Sequence, residues 1–179
     1  AKLFQNITKN DWYFTVDSDL VFMKPLELFS KNGKPMFWRY LIAGNNRGKY
    51  FNKIALGLED YWKHSLMTHF MMFDRKLCNE LLIDFCNYQN YKGNDPLKFF
   101  YEFAVERGDN NFSEWELYGN YIATKHREKY EPELVVKQAV DGPLHFHLDL
   151  PFMRNFILLD MFKYADVITV HSRVSSDSF

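Results

Sequence analysis

The chain has 179 residues, of which 47% are hydrophobic and 25% charged, the balance of a folded globular domain, which excludes disorder over most of its length. A chain of this size can bury about 70% of the surface its unfolded form exposes, so neither disulfides nor a structural metal is required for folding. Lys and Arg number 22 against 23 Asp and Glu, a formal charge of −1, which gives no whole-chain grip on nucleic acid or an anionic membrane. Aromatic residues are abundant at 18%, and their large apolar area suits a Phe-rich core.

The first residues, Lys2 to Ile7, read as the end of a helix, and Thr8-Lys9-Asn10 as a turn. Asp11-Trp12-Tyr13-Phe14-Thr15-Val16 is aromatic and β-branched and predicts a strand buried on both faces. It stops at Asp17-Ser18-Asp19, and apolar residues resume at Leu20-Val21-Phe22-Met23. Pro25 suits the first turn of a short helix from Leu26 to Phe29, and Pro35 to Leu41 predicts a strand. Gly44 to Gly48 is a loop in which Arg47, followed by Lys49, could meet phosphate, although a solvated loop is the simpler reading.

Helical spacing runs from Tyr50 to Lys63, Leu66 to Phe73 predicts a strand, and Arg75 to Tyr88 a helix with Leu77, Leu81, Leu82 and Phe85 on one stripe. Asp74 caps that helix. Gly93-Asn94-Asp95-Pro96 opens a further helix through Val105, and Ser113-Glu114-Trp115-Glu116 opens the next with a Ser-x-x-Glu capping box. Leu134 to Val140 and Val167 to Val170 predict strands, Phe152 to Tyr164 a helix, and residues 172–179 a flexible tail. Short strands interleaved with helices predict one α/β domain over residues 1–179 with a mixed, mainly parallel sheet. Cys78 and Cys86 fall on one helical face at different heights, so they are expected to stay unbridged in a reducing compartment. With no apolar run of membrane-spanning length and no secretory leader, the expected location is cytoplasmic, at most at the inner face of the membrane.

The sharpest feature is Asp17-Ser18-Asp19 at the end of a strand. Ligands of open α/β sheets sit beyond the carboxyl ends of strands, and residues i and i+2 of extended chain face the same way. Both carboxylates can therefore face one Mg²⁺ or Mn²⁺, or divide their work between metal and ribose hydroxyl. The plain alternative is a turn capped by two aspartates.

Together with its flanks, from Asp11 to Phe29, this segment resembles the strand, Asp-x-Asp and Pro-containing turn of GT-A-fold nucleotide-sugar glycosyltransferases. Thr68 to Arg75 and Phe112 to Tyr121, which carries Ser-Glu-x-Glu-x-Tyr-Gly, look like two later blocks of a bacterial subgroup of those enzymes. The resemblance implies a metal-dependent transferase with a nucleotide-sugar donor and a glycan hydroxyl acceptor, as in surface polysaccharide biosynthesis. Asp19 would bind the metal, Asp17 would contact the ribose or share the metal, and Ser18 would belong to the same cofactor-binding turn. GT-A enzymes often add a histidine ligand near the C-terminus, for which His145 and His147 are the candidates and His147 is preferred.

Glu116 fits the capping box, which leaves Glu114 as acceptor ligand or catalytic base. A carboxylate at the positive end of a helix dipole suits binding better than proton abstraction. His69 could bond sugar hydroxyls or serve the core, and Trp115, Tyr118 and Trp38 could stack on a sugar or pack internally. GT-A enzymes place several βαβ units ahead of the Asp-x-Asp, whereas here it stands near the start, so the chain is expected to lack part of the nucleotide-binding half. A bare sheet edge and a homodimer covering it would follow. Two rivals stand beside this reading. A metal-dependent phosphotransferase or hydrolase would need a further nucleophile or carboxylate cluster, and a carbohydrate-binding module derived from the same fold would need no catalysis.

Overall fold

The computed structural model describes residues 11–17, 20–22, 25–40, 49–59, 66, 70–108, 112–136 and 167–169. Over these residues the chain is mixed α/β. In order run β1 (Trp12–Val16), β2 (Leu20–Phe22), β3 (Met36–Tyr40), α1 (Lys49–Leu56), β4 (Phe70–Asp74), α2 (Arg75–Tyr88), α3 (Pro96–Gly108) and α4 (Glu114–Lys125). A 3-10 turn (Arg127–Lys129), β5 (Glu131–Val136) and β6 (Val167–Thr169) follow. Among the described residues no helix is long and apolar enough to cross a membrane.

The expectation of a mainly parallel sheet is corrected by the strand pairings. β1 pairs antiparallel with β4, from Trp12 opposite Asp74 to Val16 opposite Phe70, and β2 pairs antiparallel with β6. Among the described residues only β3 and β5 pair in parallel. The parallel expectation rests on strands interleaved with helices, and the apolar character of β1 reports contacts on both faces without fixing direction. On one face Phe14 meets Phe22 and Phe70, with ring centroids 6.2 and 6.0 Å away. On the other, Tyr13 stacks on Phe73 at 5.3 Å. Nor is β1 fully buried: its residues are half-covered and Val16 is exposed.

The helix predicted over Leu26 to Phe29 does not form. Four residues cannot offset the cost of nucleating a helix, and local hydrogen bonds offer the backbone something better. Ser30 Oγ accepts the N–H groups of Asn32 and Lys34 at 3.2 and 3.3 Å, Gly33 takes φ +72°, and Phe29 bridges to Pro35. The helix expected to run from Tyr50 to Lys63 stops at Leu56. Gly57 adopts φ +65° and donates its N–H to the Lys53 carbonyl at 2.8 Å, a left-handed ending that glycine reaches without strain. Gln89 Nε2 then donates to the carbonyls of Ile54 and Ala55 at 2.7 and 3.0 Å, satisfying acceptors at the helix end. β5 starts earlier than expected, at Glu131, and takes in Pro132.

The long helices follow the sequence pattern. α2 spans Arg75–Tyr88, with Asp74 Oδ1 accepting from Lys76 and Leu77 N–H at 2.7 and 3.1 Å, and its predicted stripe of Leu77, Leu81, Leu82 and Phe85 is buried. Arg75 ties this start to the start of β1, its N–H donating to the Asp11 carbonyl at 2.9 Å and its guanidinium reaching Asp11 Oδ1 at 3.3 Å. α3 extends to Gly108, beyond the expected Val105. Between α1, α2 and α3 lies an aromatic cluster in which Phe85 packs on Phe99, Phe100 and Phe103 at 5.0–5.2 Å, while Phe51 meets Phe103 and Phe112. Much of the aromatic excess is core. The expected helices at Lys2 to Ile7 and Phe152 to Tyr164, the 44–48 loop and the 172–179 tail lie outside the described residues.

Candidate functional site

Tyr13 and Thr15 alternate along β1 and Asp17 follows its end; all three, together with Val16, line a cavity of about 300 Å³. Phe73 of β4 continues that wall. α2 contributes Cys78, Leu81 and Leu82, spaced to share one helical face, and α3 adds Leu97 and Phe100. The remaining side comes from Phe112 and the first turns of α4, with Glu114, Trp115, Leu117 and Tyr118. Asp17 and Glu114 are the two charged residues of this lining.

α4 begins where the sequence placed it. Ser113 is the N-cap, and its Oγ accepts the Glu116 N–H at 3.3 Å. The Glu116 side chain, buried at 6% exposure, also works at long range: Oε1 accepts the Leu66 N–H at 2.9 Å. The Glu116 carbonyl receives Nδ2 of both Asn120, at 2.9 Å, and Asn52, at 3.4 Å. Glu116 is therefore structural, by way of the Leu66 N–H, while Glu114 is exposed and stands on the cavity lining.

The hydroxyl and thiol groups on the wall are engaged with the protein. Tyr118 Oη accepts the Asp74 N–H at 2.9 Å and is hydrogen-bonded to the Tyr130 hydroxyl. The hydroxyl of Tyr13 pairs with Cys78 Sγ at 3.3 Å, and Thr15 Oγ1 donates to the Met71 carbonyl at 3.4 Å. Burial, which disfavours the charged forms, raises the pKa of Tyr13, Tyr118 and Tyr130 above that of a free phenol. The same cause pushes the Cys78 thiol up to about 11, against an opposing hydrogen bond from Tyr13. Cys78 and Cys86 are both free thiols, as their spacing predicted.

Of the site residues expected from sequence, Asp17, Glu114, Trp115 and Tyr118 come together on this one cavity. Trp115 and Tyr118 are both buried, so their rings meet the cavity from within the core. Ser18, Asp19, His69, His145 and His147 lie outside the described residues, as does Arg47. Among the described residues no group of three or more His, Cys, Asp or Glu is gathered as a metal site. Asp17 is the one member of the expected donor set that is described, and its carboxylate at the end of β1 is the hard oxygen donor that Mn²⁺ or Mg²⁺ prefers.

Tyr13, Cys78, Leu82 and Phe100 were not anticipated as site residues. The alternation Tyr13-Thr15-Asp17 could have pointed to the first, and the i, i+3, i+4 relation of Cys78 to Leu81 and Leu82 to the second and third. No local signal marks Phe100. No family model, curated protein or solved structure matches the chain.

Proposed function

We propose that the chain is a metal-dependent glycosyltransferase domain that moves a sugar from a nucleotide donor to a hydroxyl acceptor. The observation that carries this reading is the convergence of Asp17 and Glu114 on one cavity. They come from sequence blocks far apart in the chain, Asp17 read from its place at a strand end and Glu114 as the carboxylate that the capping box leaves over. In this reading Asp17 and Asp19, with His147 or His145, would hold Mn²⁺ or Mg²⁺. Bound there, the cation supplies Lewis-acid neutralisation of the donor diphosphate.

The chain's own residues have separable tasks. Asp17 orients the donor at the end of β1. Glu114, on the exposed first turn of α4, would accept the hydrogen bond of the acceptor hydroxyl and serve as its base. Trp115 and Tyr118 give that hydroxyl's carrier a flat wall. Tyr118 is held in place through Asp74 and Tyr130, so its role is to shape the site and not to exchange protons.

The test is calorimetric titration of UDP and GDP into the protein with and without Mn²⁺, for wild type, Asp19→Ala and Asp17→Asn. Binding that requires the metal and weakens at least tenfold in both variants supports the transferase. Glu114→Gln should leave nucleotide affinity within about twofold while abolishing transfer. Sugar binding that ignores both metal and Asp19→Ala would identify a carbohydrate-binding module instead.

A further inference from the structure

Resting on the transferase reading, the composition of the cavity specifies what carries the acceptor hydroxyl. We propose that the cavity takes an apolar aromatic or alkyl group, so that the acceptor is a hydroxyl borne on or next to an apolar aglycone and not a bare sugar.

The walls argue this directly. Leu81, Leu82, Leu97, Phe100, Phe112 and Leu117, whose side chains are all hydrocarbon, line the space. Where wall residues carry hydroxyl or thiol groups, those groups are engaged internally: Tyr13 with Cys78, Thr15 with the Met71 carbonyl, and Tyr118 with Tyr130 and Asp74. A sugar ring pushed against such a wall would surrender its water shell for surfaces that offer it little hydrogen bonding in return, which selects against it. An aromatic ring or short alkyl chain loses nothing by the exchange, and Phe100, Phe112 and Trp115 supply aromatic surface for it.

Size and polarity agree. About 300 Å³ lies at the small end of ligand pockets and accommodates one fused ring system or a short chain, not an oligosaccharide. The charged side chains in the lining, Asp17 and Glu114, are both carboxylates, which suit a ligand that is apolar at one end and hydroxylated at the other.

The experiment is calorimetric titration of the full chain with 2-naphthyl β-glucoside and with glucose, in the absence of metal and nucleotide. The naphthyl glucoside should bind at least tenfold more tightly than glucose, with a negative heat-capacity change from apolar burial. Leu97→Trp, which fills the space from a half-buried position, should weaken the naphthyl compound at least tenfold. Leu97→Ala, a gentler change, should raise the ratio of naphthyl to phenyl glucoside affinity above that of wild type. Equal affinity for glucose and the naphthyl compound, no binding of the latter at millimolar concentration, or a folded Leu97→Trp variant that binds as wild type would each overturn the proposal.

The two readings fail separately. Metal-dependent nucleotide binding without naphthyl binding sinks the aglycone and leaves the transferase. Naphthyl binding without nucleotide binding keeps the apolar site and removes its assignment to an acceptor.

Discussion

Gly119 sits in the middle of α4, where glycine is unfavourable to a helix by about 1 kcal/mol relative to alanine. Its place is explained by Leu66, which is fully buried: a Cβ on Gly119 would collide with Leu66 Cδ1 and stand 3.3 Å from Cγ. A leucine tip could usually swing away, but this one is enclosed by core. Gly119→Ala should therefore lose about 1–2 kcal/mol net, overpacking outweighing the gain in helix propensity. Leu66→Ala alone should cost about 2–5 kcal/mol through the cavity it leaves. Combined, the two should be clearly less than additive, because the new methyl occupies the space the leucine vacates. Urea denaturation of the four proteins measures this. Simple additivity, or stabilisation by Gly119→Ala, would remove the close-packing explanation.

For the elements, the start of α2 is the part most legible in sequence. Asp74 precedes a clean apolar stripe, and both the cap and the helix bounds came out as read. Asp74→Ala should cost about 1 kcal/mol by leaving the Lys76 and Leu77 N–H groups without their acceptor, while Asp74→Asn should cost less than half of that. Equal losses in the two variants, by thermal or urea unfolding, would place the effect elsewhere than in the cap. The elements misread share a physical reason. The Leu26 to Phe29 turn and the early end of α1 are decided by Ser30, by the backbone angle of Gly57 and by Gln89 arriving from the end of α2. Periodicity sees none of these. The direction of β1 was equally hidden, since an apolar run is the same whichever way its neighbour runs.

For the whole molecule, the cavity wall and its surroundings hold several phenols and a thiol in their neutral forms. Tyr13, Tyr118, Tyr121 and Tyr130 are all raised by burial, and Cys78 lies at about 11. In the unfolded chain these groups lose their protons near pH 8.5 for cysteine and 10 for tyrosine. Above those values the unfolded state binds fewer protons than the folded one, so stability falls as pH rises. The urea midpoint should be level between pH 7 and 8, decline from about pH 9, and still be falling at pH 11. Cys78→Ser should flatten the early part of the decline. A midpoint unchanged between pH 8 and 11 would show that these groups are more open to water than their surroundings indicate. Of the site, sequence supplied the two carboxylates and the two aromatic rings of α4. The apolar interior that joins them is assembled from β1, β4 and three helices, and only the tertiary fold brings it together.

The first turn of α4 carries two glutamates with opposite obligations. Glu114 belongs to the cavity, while Glu116, about 200° further around the helix, holds the Leu66 backbone and, through its carbonyl, Asn52. This edge of the site is thus anchored in the same bonds that lock the core. It cannot tilt toward a ligand without pulling on α1 and on Leu66. An occupant must fit a rim as stiff as the interior behind it, so selectivity here comes from a preformed shape, and adaptation is left to other edges of the cavity.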